Sequence, residues 1–229
     1  MEEKLKVVLH GMWASPFVRW VKIALNIKGI TYEYVEESMT RKGQLLLEHN
    51  PAYKKVPVLV HDGQPIAESL VIVCYIDETW KGSPQLLPQD PYSRSMVHFW
   101  ADFMLKQLHM SLRKLVASHY ETEEKKSIAE FQKNMNILEE NVEIIFPCDV
   151  PSCGQDMGML DMLLSTLPNV IYAIEEALNV TLMEPKKYQS TFSRMEALSR
   201  LTVVKDTAPS HEKLVRFFRA YRHYYCDKK

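Results

Sequence analysis

The stretch GMWASPFVRW, residues 11–20, sets a serine immediately before a proline, where an apolar run gives way to a helical pattern. Serine is a favoured helix N-cap and proline a favoured first helical residue, and capping alone accounts for both. A hydroxyl, however, has one proton and two lone pairs. Ser15 can accept from a backbone N–H at the helix start and still donate outward. The unpaired N–H groups and the dipole of a helix start favour an anion there, and a thiolate is such an anion. An ordinary thiol has a pKa of about 8.5, and lowering it by about 2 units takes about 2.7 kcal/mol of preferential stabilisation. One charge-assisted hydrogen bond supplies roughly 1.5–3 kcal/mol, and the helix terminus adds about 0.3–1 kcal/mol. Together they suffice to activate a thiol. No cysteine stands in this segment, so the thiol has to arrive on a ligand.

Other residues suit a small charged ligand. Glu68-Ser69 opens a helix directly after a strand, again an anion-accepting arrangement. Lys42 and the pair Lys54-Lys55, just before VPVLV, are placed to meet a carboxylate. Taken singly, each has a plainer reading: loop lysines are solvated, and Glu68 suits the positive end of a helix. Their combination around one unit of strands and helices is what marks a site.

The elements that must position these residues follow from periodicity. LKVVLHG, residues 5–11, reads as a buried strand. From Pro16, residues Phe17, Trp20, Val21, Ala24 and Leu25 share one helical face and Arg19, Lys22 and Asn26 the other. Gly29 supplies a stop, and TYEYV, residues 31–35, alternates as a strand. Strand, helix, strand implies a parallel pair with a right-handed crossover. QLLLEHN, residues 44–50, reads as a short helix and VPVLV, residues 56–60, as a strand. Asp62-Gly63 signals a hairpin, PIA returns, and a helix from about Glu68 to Trp80 closes a βαβ-ββα unit. KGSPQLLPQDP, residues 81–91, is rich in proline and reads as a linker. Helices are expected at 92–118, 121–145, 159–178, 187–200 and 209–224, with Gly158-Met-Leu-Asp161 as a capping box and Pro168 as a kink or delay. The expected division is 1–81, a linker at 82–91, and an all-helical region at 92–229.

Composition narrows the function. The 229 residues carry a formal net charge of -1 and are 46% hydrophobic. That balance gives no electrostatic reason for a nucleic-acid or anionic-membrane partner. No apolar run approaches the roughly 18 residues needed to span a bilayer, and MEEKLKVVLHG is unlike the start of a secretory signal. The four cysteines, Cys74, Cys148, Cys153 and Cys226, form no CxxC and no Cys/His cluster. A zinc site or thioredoxin-type dithiol is not expected, no metal is expected, and a reducing compartment suits them. Cys148 and Cys153 are close enough in sequence for a loop disulfide, but nothing requires one.

WASPFVRWVKIALNIKGITYEYVEE, NPAYKKVPVLVHDGQPIAESLVIVCYIDETW and LLPQDPYSR…FWADF resemble the cytosolic glutathione transferases, specifically the plant tau class. The resemblance is dense from about residue 5 to 103 and is carried beyond by the helical pattern and Gly158-x-x-Asp161. It implies a thioredoxin-like N-terminal domain, an all-helical C-terminal domain, a cytoplasmic homodimer, and glutathione as co-substrate. By the same resemblance, Ser15 is the catalytic serine that hydrogen-bonds the glutathione thiolate. Lys42 and Lys55 hold the glycine carboxylate, the Val56 backbone pairs with the cysteinyl unit ahead of a cis Pro57, and Glu68 and Ser69 grip the γ-glutamyl end. The electrophile pocket takes Met12, Phe17, His109, Arg113, Phe217 and Tyr221. Core packing for Phe17, a solvated face for His109 and Arg113, and helix packing for Phe217 and Tyr221 are the alternatives.

The implied reaction adds the thiolate to small hydrophobic electrophiles, and the same site suits reduction of organic hydroperoxides. A thiol-transferase reading is disfavoured, because those relatives carry cysteine in place of Ser15. The alternative is a non-catalytic, glutathione-dependent carrier of apolar metabolites. A structural adaptor would leave Ser15, Lys42, Lys55 and Ser69 coinciding by chance. Two departures stand out: FPCDVPSCGQDMG replaces the usual aromatic-Gly-Gly segment, and Val170 stands near a common pocket tryptophan.

Overall fold

The computed structural model describes residues 6–39, 43–82 and 84–226. Lys42, named above for the glycine carboxylate, lies outside them. Four strands form one mixed sheet in the order β2-β1-β3-β4. β1 (Val7–Gly11) runs parallel to β2 (Glu33–Glu36) through α1 (Pro16–Ile27). α2 (Gln44–His49) leads to β3 (Val58–His61) and β4 (Gln64–Ala67), both antiparallel to their neighbours, and α3 (Ser69–Thr79) comes next. This is the thioredoxin-like βαβ-ββα order, and the Asp62-Gly63 turn falls between β3 and β4 as read. Leu9 and Leu59 of the sheet join Val21, Ala24 and Leu25 of α1 and Ile72, Val73 and Ile76 of α3 in one continuous core.

From residue 91 onward every described element is helical: α4 (Pro91–Phe103), a π-helical turn (Met104–His109), α5 (Met110–Val116), α6 (Glu121–Glu140), α7 (Val142–Ile145), a short 3-10 turn (Gly154–Asp156), α8 (Met159–Ser165), α9 (Leu167–Leu178), α10 (Gln189–Ser199), α11 (Thr202–Lys205) and α12 (His211–Cys226). Asp90 caps α4 by accepting from Ser93 N at 2.8 Å, and Pro91 is the first helical residue. The preceding segment is tied back to α3: Asp77 accepts from Leu86 N and Leu87 N at 2.9 and 3.1 Å and pairs with Lys28 at 2.7 Å.

The structure corrects the helical reading in three places. The helix read over 92–118 is interrupted by the π turn, which adds a residue to one turn and rotates the side chains of α5 relative to those of α4. The helix read over 121–145 breaks at Asn141. The helix read over 159–178 breaks at Thr166, because Pro168 lacks an N–H and settles in the first turn of a new helix. The Gly158–Asp161 box forms, with Gly158 N donating to Asp161 Oδ2 at 3.1 Å.

Arg19 is a fourth correction. Read as solvent-facing, it is buried, because α1 is covered on its outer side by the helical region. Its guanidinium donates to Thr207 Oγ1 at 3.2 Å, Asn169 Oδ1 at 3.0 Å and the Val204 carbonyl at 2.9 Å. Burial pulls its pKa down to about 10, which leaves it charged at neutral pH. Next to it, Trp20 Nε1 donates to Thr166 Oγ1 at 2.8 Å, a second polar link across the same contact. Among the described residues no helix is long and apolar enough to cross a membrane.

Candidate active site

β1 ends at Gly11, where a Cβ would lie 2.5 Å from Val18 and 2.8 Å from the Tyr34 ring, so only glycine lets the chain turn this close to α1. The turn delivers Ser15 to the N-cap of α1 with extended backbone angles and Pro16 behind it. Ser15 Oγ accepts from Val18 N at 3.3 Å, and its backbone N–H donates to the Met12 carbonyl at 2.9 Å. The capping reading is therefore right. It also leaves the hydroxyl proton without an acceptor among the described residues. Ser15 is 9% exposed, and what exposure it has opens on a cavity.

That cavity holds about 340 Å³. One wall is polar: Glu37, Ser38, Lys54 and Lys55, with the apolar Val56 beside them. The other is apolar: Met12, Phe17, Leu112, Val116, Val170, Ile174, Phe217, Phe218 and Tyr221, with His109 and Arg113 among them. The cavity thus brings together Ser15, Lys55, Val56 and all six residues read for the electrophile pocket. Glu68 and Ser69 lie outside its lining. The β3–β4 pairing ends at Val58 and Ala67, so Val56 stands just ahead of one strand of the pair and Glu68 and Ser69 immediately follow the other. The Val56–Pro57 peptide bond is cis. Glu68 takes a left-handed φ of 73°, and Ser69, the first residue of α3, is buried.

His109, the last residue of the π turn, is 4% exposed and wedged among rings, its centroid 4.9 Å from Trp20 and 5.6 Å from Phe17. The solvated face does not describe His109, which is buried, whereas Phe17 is half-buried, packs against the core beside Trp20 and also touches the cavity. Arg113 is exposed at the same wall. Burial without a charged partner pulls the His109 pKa down to about 3, and its Nε2 is buried with no hydrogen-bond partner. The ring is therefore neutral throughout the working range.

This has a measurable consequence. His109 resists a proton that the unfolded chain takes up readily, so folding loses stability as pH falls below the ordinary histidine value. His109→Phe removes that loss. Between pH 7 and pH 5 the wild type is expected to lose about 2 kcal/mol more than the variant, measured by urea unfolding at both pH values. Equal losses would show that the ring can be protonated in place.

Several lining residues escaped the sequence reading. Leu112 and Val116 lie three and seven residues beyond His109, a helical spacing that was open to inspection. Phe218 adjoins Phe217. Glu37, Ser38, Met39 and Leu46, from the β2–α2 side, carry no sequence signal of this kind. Val170, noted only as a replacement, is part of the pocket wall. Trp13 is also placed usefully: its ring lies edge-on to Phe217 at 5.5 Å and under Lys213 at 4.1 Å, which links the Ser15 turn to α12. Cys148 and Cys153 are free and exposed, and Cys74 is free with its pKa raised to about 11, chiefly by burial.

The arrangement has known counterparts. Residues 9–84 match the family model for the glutathione S-transferase N-terminal domain. Glutathione S-transferase U10 of Arabidopsis thaliana is 38% identical over 96% of this chain and 95% of its own length. Glutathione transferase GST 23 of Zea mays is 40% identical over 97% of both. Among solved structures, the tau-class glutathione S-transferase of mango superposes with a TM-score of 0.85 at 31% identity, over 94% of this chain and 98% of that one. A rice glutathione transferase in complex with glutathione superposes at 0.84 with 28% identity, over 97% and 99%. With a matching N-terminal model, and relatives of this identity along nearly its whole length, the chain belongs to the glutathione S-transferases, in their tau class.

Proposed function

We propose that this enzyme transfers the glutathione thiolate to small hydrophobic electrophiles, with Ser15 as the catalytic residue. The observation that carries the proposal is the Ser15 hydroxyl: buried at the N-terminus of α1, capped on its acceptor side, and with an unclaimed proton at the junction of a polar and an apolar wall. Ser15 donates to the ligand sulfur and stabilises its anion. Lys55 receives the glycine carboxylate, the Val56 backbone pairs with the cysteinyl unit, and Glu68 and Ser69 receive the γ-glutamyl end. Met12, Phe17, His109, Arg113, Phe217 and Tyr221 hold the electrophile beside the sulfur, so proximity adds to ionisation. The carrier reading gains no observation of its own.

The domain division at 81 and 92 belongs to the same proposal, as does a reducing, cytoplasmic setting, supported by three free thiols. A homodimer through the α3–α4 side is supported by the exposed Val71, Tyr92 and Phe99, apolar surface that a monomer would leave in water. Sedimentation should then return twice the chain mass of 26.7 kDa.

The enzyme is tested with glutathione and 1-chloro-2,4-dinitrobenzene. The sulfur bonds to the ring carbon that carries chlorine, chloride departs with its electron pair, and the conjugate absorbs in the near ultraviolet. Absence of both turnover and bound-thiolate absorbance would overturn the proposal. Lys55→Met is expected to raise the KM for glutathione by roughly tenfold, the loss of one charge-assisted contact, with the KM for the electrophile unchanged.

A further inference from the structure

The polar wall of the cavity includes a buried carboxylate to which the reaction assigns no task. Glu37 directly follows β2 and is 6% exposed, yet it lines a cavity that receives an anionic ligand. An unpartnered carboxylate there would repel that ligand and would be costly to bury. Both of its oxygens are engaged. Oε1 contacts His10 Nδ1 of β1 at 2.9 Å, and Oε2 accepts from Gly43 N at 3.0 Å. Gly43 is the N-cap of α2, so one side chain joins the sheet to the start of that helix. At the far end of α2, His49 packs edge-on to His10 with ring centroids 5.6 Å apart. Both ends of α2 therefore bear on the same cluster, and Leu46 between them lines the cavity. Gly43 has a matching requirement: a Cβ there would lie 3.0 Å from Oε2 and 3.2 Å from Oε1 of Glu37.

We propose that Glu37 is a positioning residue for glutathione: clamped between His10 and Gly43, it fixes α2 and the Ser38–Met39 rim before the ligand arrives. The inference rests on the glutathione reading above. Its effect falls on ligand binding, because a preformed wall avoids the ordering cost that binding would otherwise meet. The effect spares the bond-making step at Ser15.

The test is a double-mutant cycle read by glutathione titration and steady-state kinetics on the full chain. Glu37→Ala is expected to weaken glutathione binding about tenfold, with kcat at saturating glutathione and the KM for the electrophile within about twofold of wild type. Glu37→Gln, whose carbonyl oxygen still accepts from Gly43 N, should recover most of the loss. Gly43→Ala should reproduce the Glu37→Ala phenotype by displacing the carboxylate. In the Glu37→Ala background it should add little, because the atom it strikes is gone. If Glu37→Ala fails to fold, Gly43→Ala carries the same comparison with the carboxylate retained. Unchanged glutathione affinity in Glu37→Ala and Gly43→Ala, a uniform loss across kcat and both KM values, or penalties that simply add would each overturn the assignment. A wild type that binds no glutathione would overturn this inference and the functional reading together; a wild type that binds it while the variants bind as well sinks only this one.

Discussion

Ser15→Ala is expected to cost about 30-fold in kcat/KM at pH 6.5 while leaving glutathione affinity within a few-fold. The hydroxyl is asked for about 2 kcal/mol of preference for the sulfur anion, within the roughly 1.5–3 kcal/mol of a charge-assisted hydrogen bond. Its loss should raise the bound thiol's pKa by roughly 1–2 units, visible as loss of thiolate absorbance at neutral pH. The sign gives a second check. A bound thiol with an elevated pKa recovers its anion as pH rises, so the deficit of the variant should shrink toward pH 9. Ser15 also caps α1, so the variant should lose about 1 kcal/mol of stability, seen as a small fall in Tm. Ser15→Thr keeps both the cap and the proton and serves as the control. Full activity in Ser15→Ala would remove the proposed role. A deficit that stayed constant from pH 6 to 9 would leave Ser15 as a helix cap alone.

How far the sequence discloses this site depends on how local each interaction is. Ser15, Pro16 and Gly11 are neighbours in the chain, and their joint task follows from capping and turn chemistry. The β3–β4 pairing, which ends at Val58 and Ala67, follows from a hairpin signalled by Asp62-Gly63. The π turn at 104–109 is different: the apolar spacing continues through it, and only packing against α1 and α6 turns His109 toward Phe17 and Trp20. Arg19 reads as solvent-facing because a helical pattern reports one buried face, whereas α1 is covered on two. Glu37 stands 27 residues from His10 and 6 from Gly43 along the chain. No periodicity connects a strand interior, a strand end and a helix cap, so only the β1–β2 pairing and the placement of α2 bring them together. Val170 was visible as a departure, but its place in the pocket wall depends on how Pro168 restarts the helix.

Replacing Arg194 with alanine is expected to produce the largest loss of stability of any single change considered. The capping box at Gly158 was legible, but its partner, 33 residues away on α10, was not. Arg194 Nε and Nη2 donate to Asp161 Oδ1 at 3.1 and 2.8 Å. Nη1 donates to the Cys148 carbonyl at 3.0 Å, and the guanidinium lies over the Phe146 ring at 4.3 Å. One side chain thus joins α8, α10 and the atypical loop after residue 146. Burial already holds the Asp161 pKa above the usual carboxylate range despite this partner. Removing the guanidinium leaves a buried charge with only Gly158 N, a loss of about 3–5 kcal/mol. For a chain of this size that is a fall in Tm of roughly 6–20 °C.

The sign of the pH dependence comes from the same pair. Without Arg194 the folded-state pKa of Asp161 rises further above its unfolded value, so the folded state gains stability from binding a proton. That gain is present at low pH and lost as pH rises through the folded value. The deficit of Arg194→Ala should therefore be smaller at pH 5 than at pH 7.5, and Arg194→Met combined with Asp161→Asn should regain much of it. A Tm within about 2 °C of wild type, or a deficit independent of pH, would mean that the ion pair contributes nothing beyond its backbone contacts.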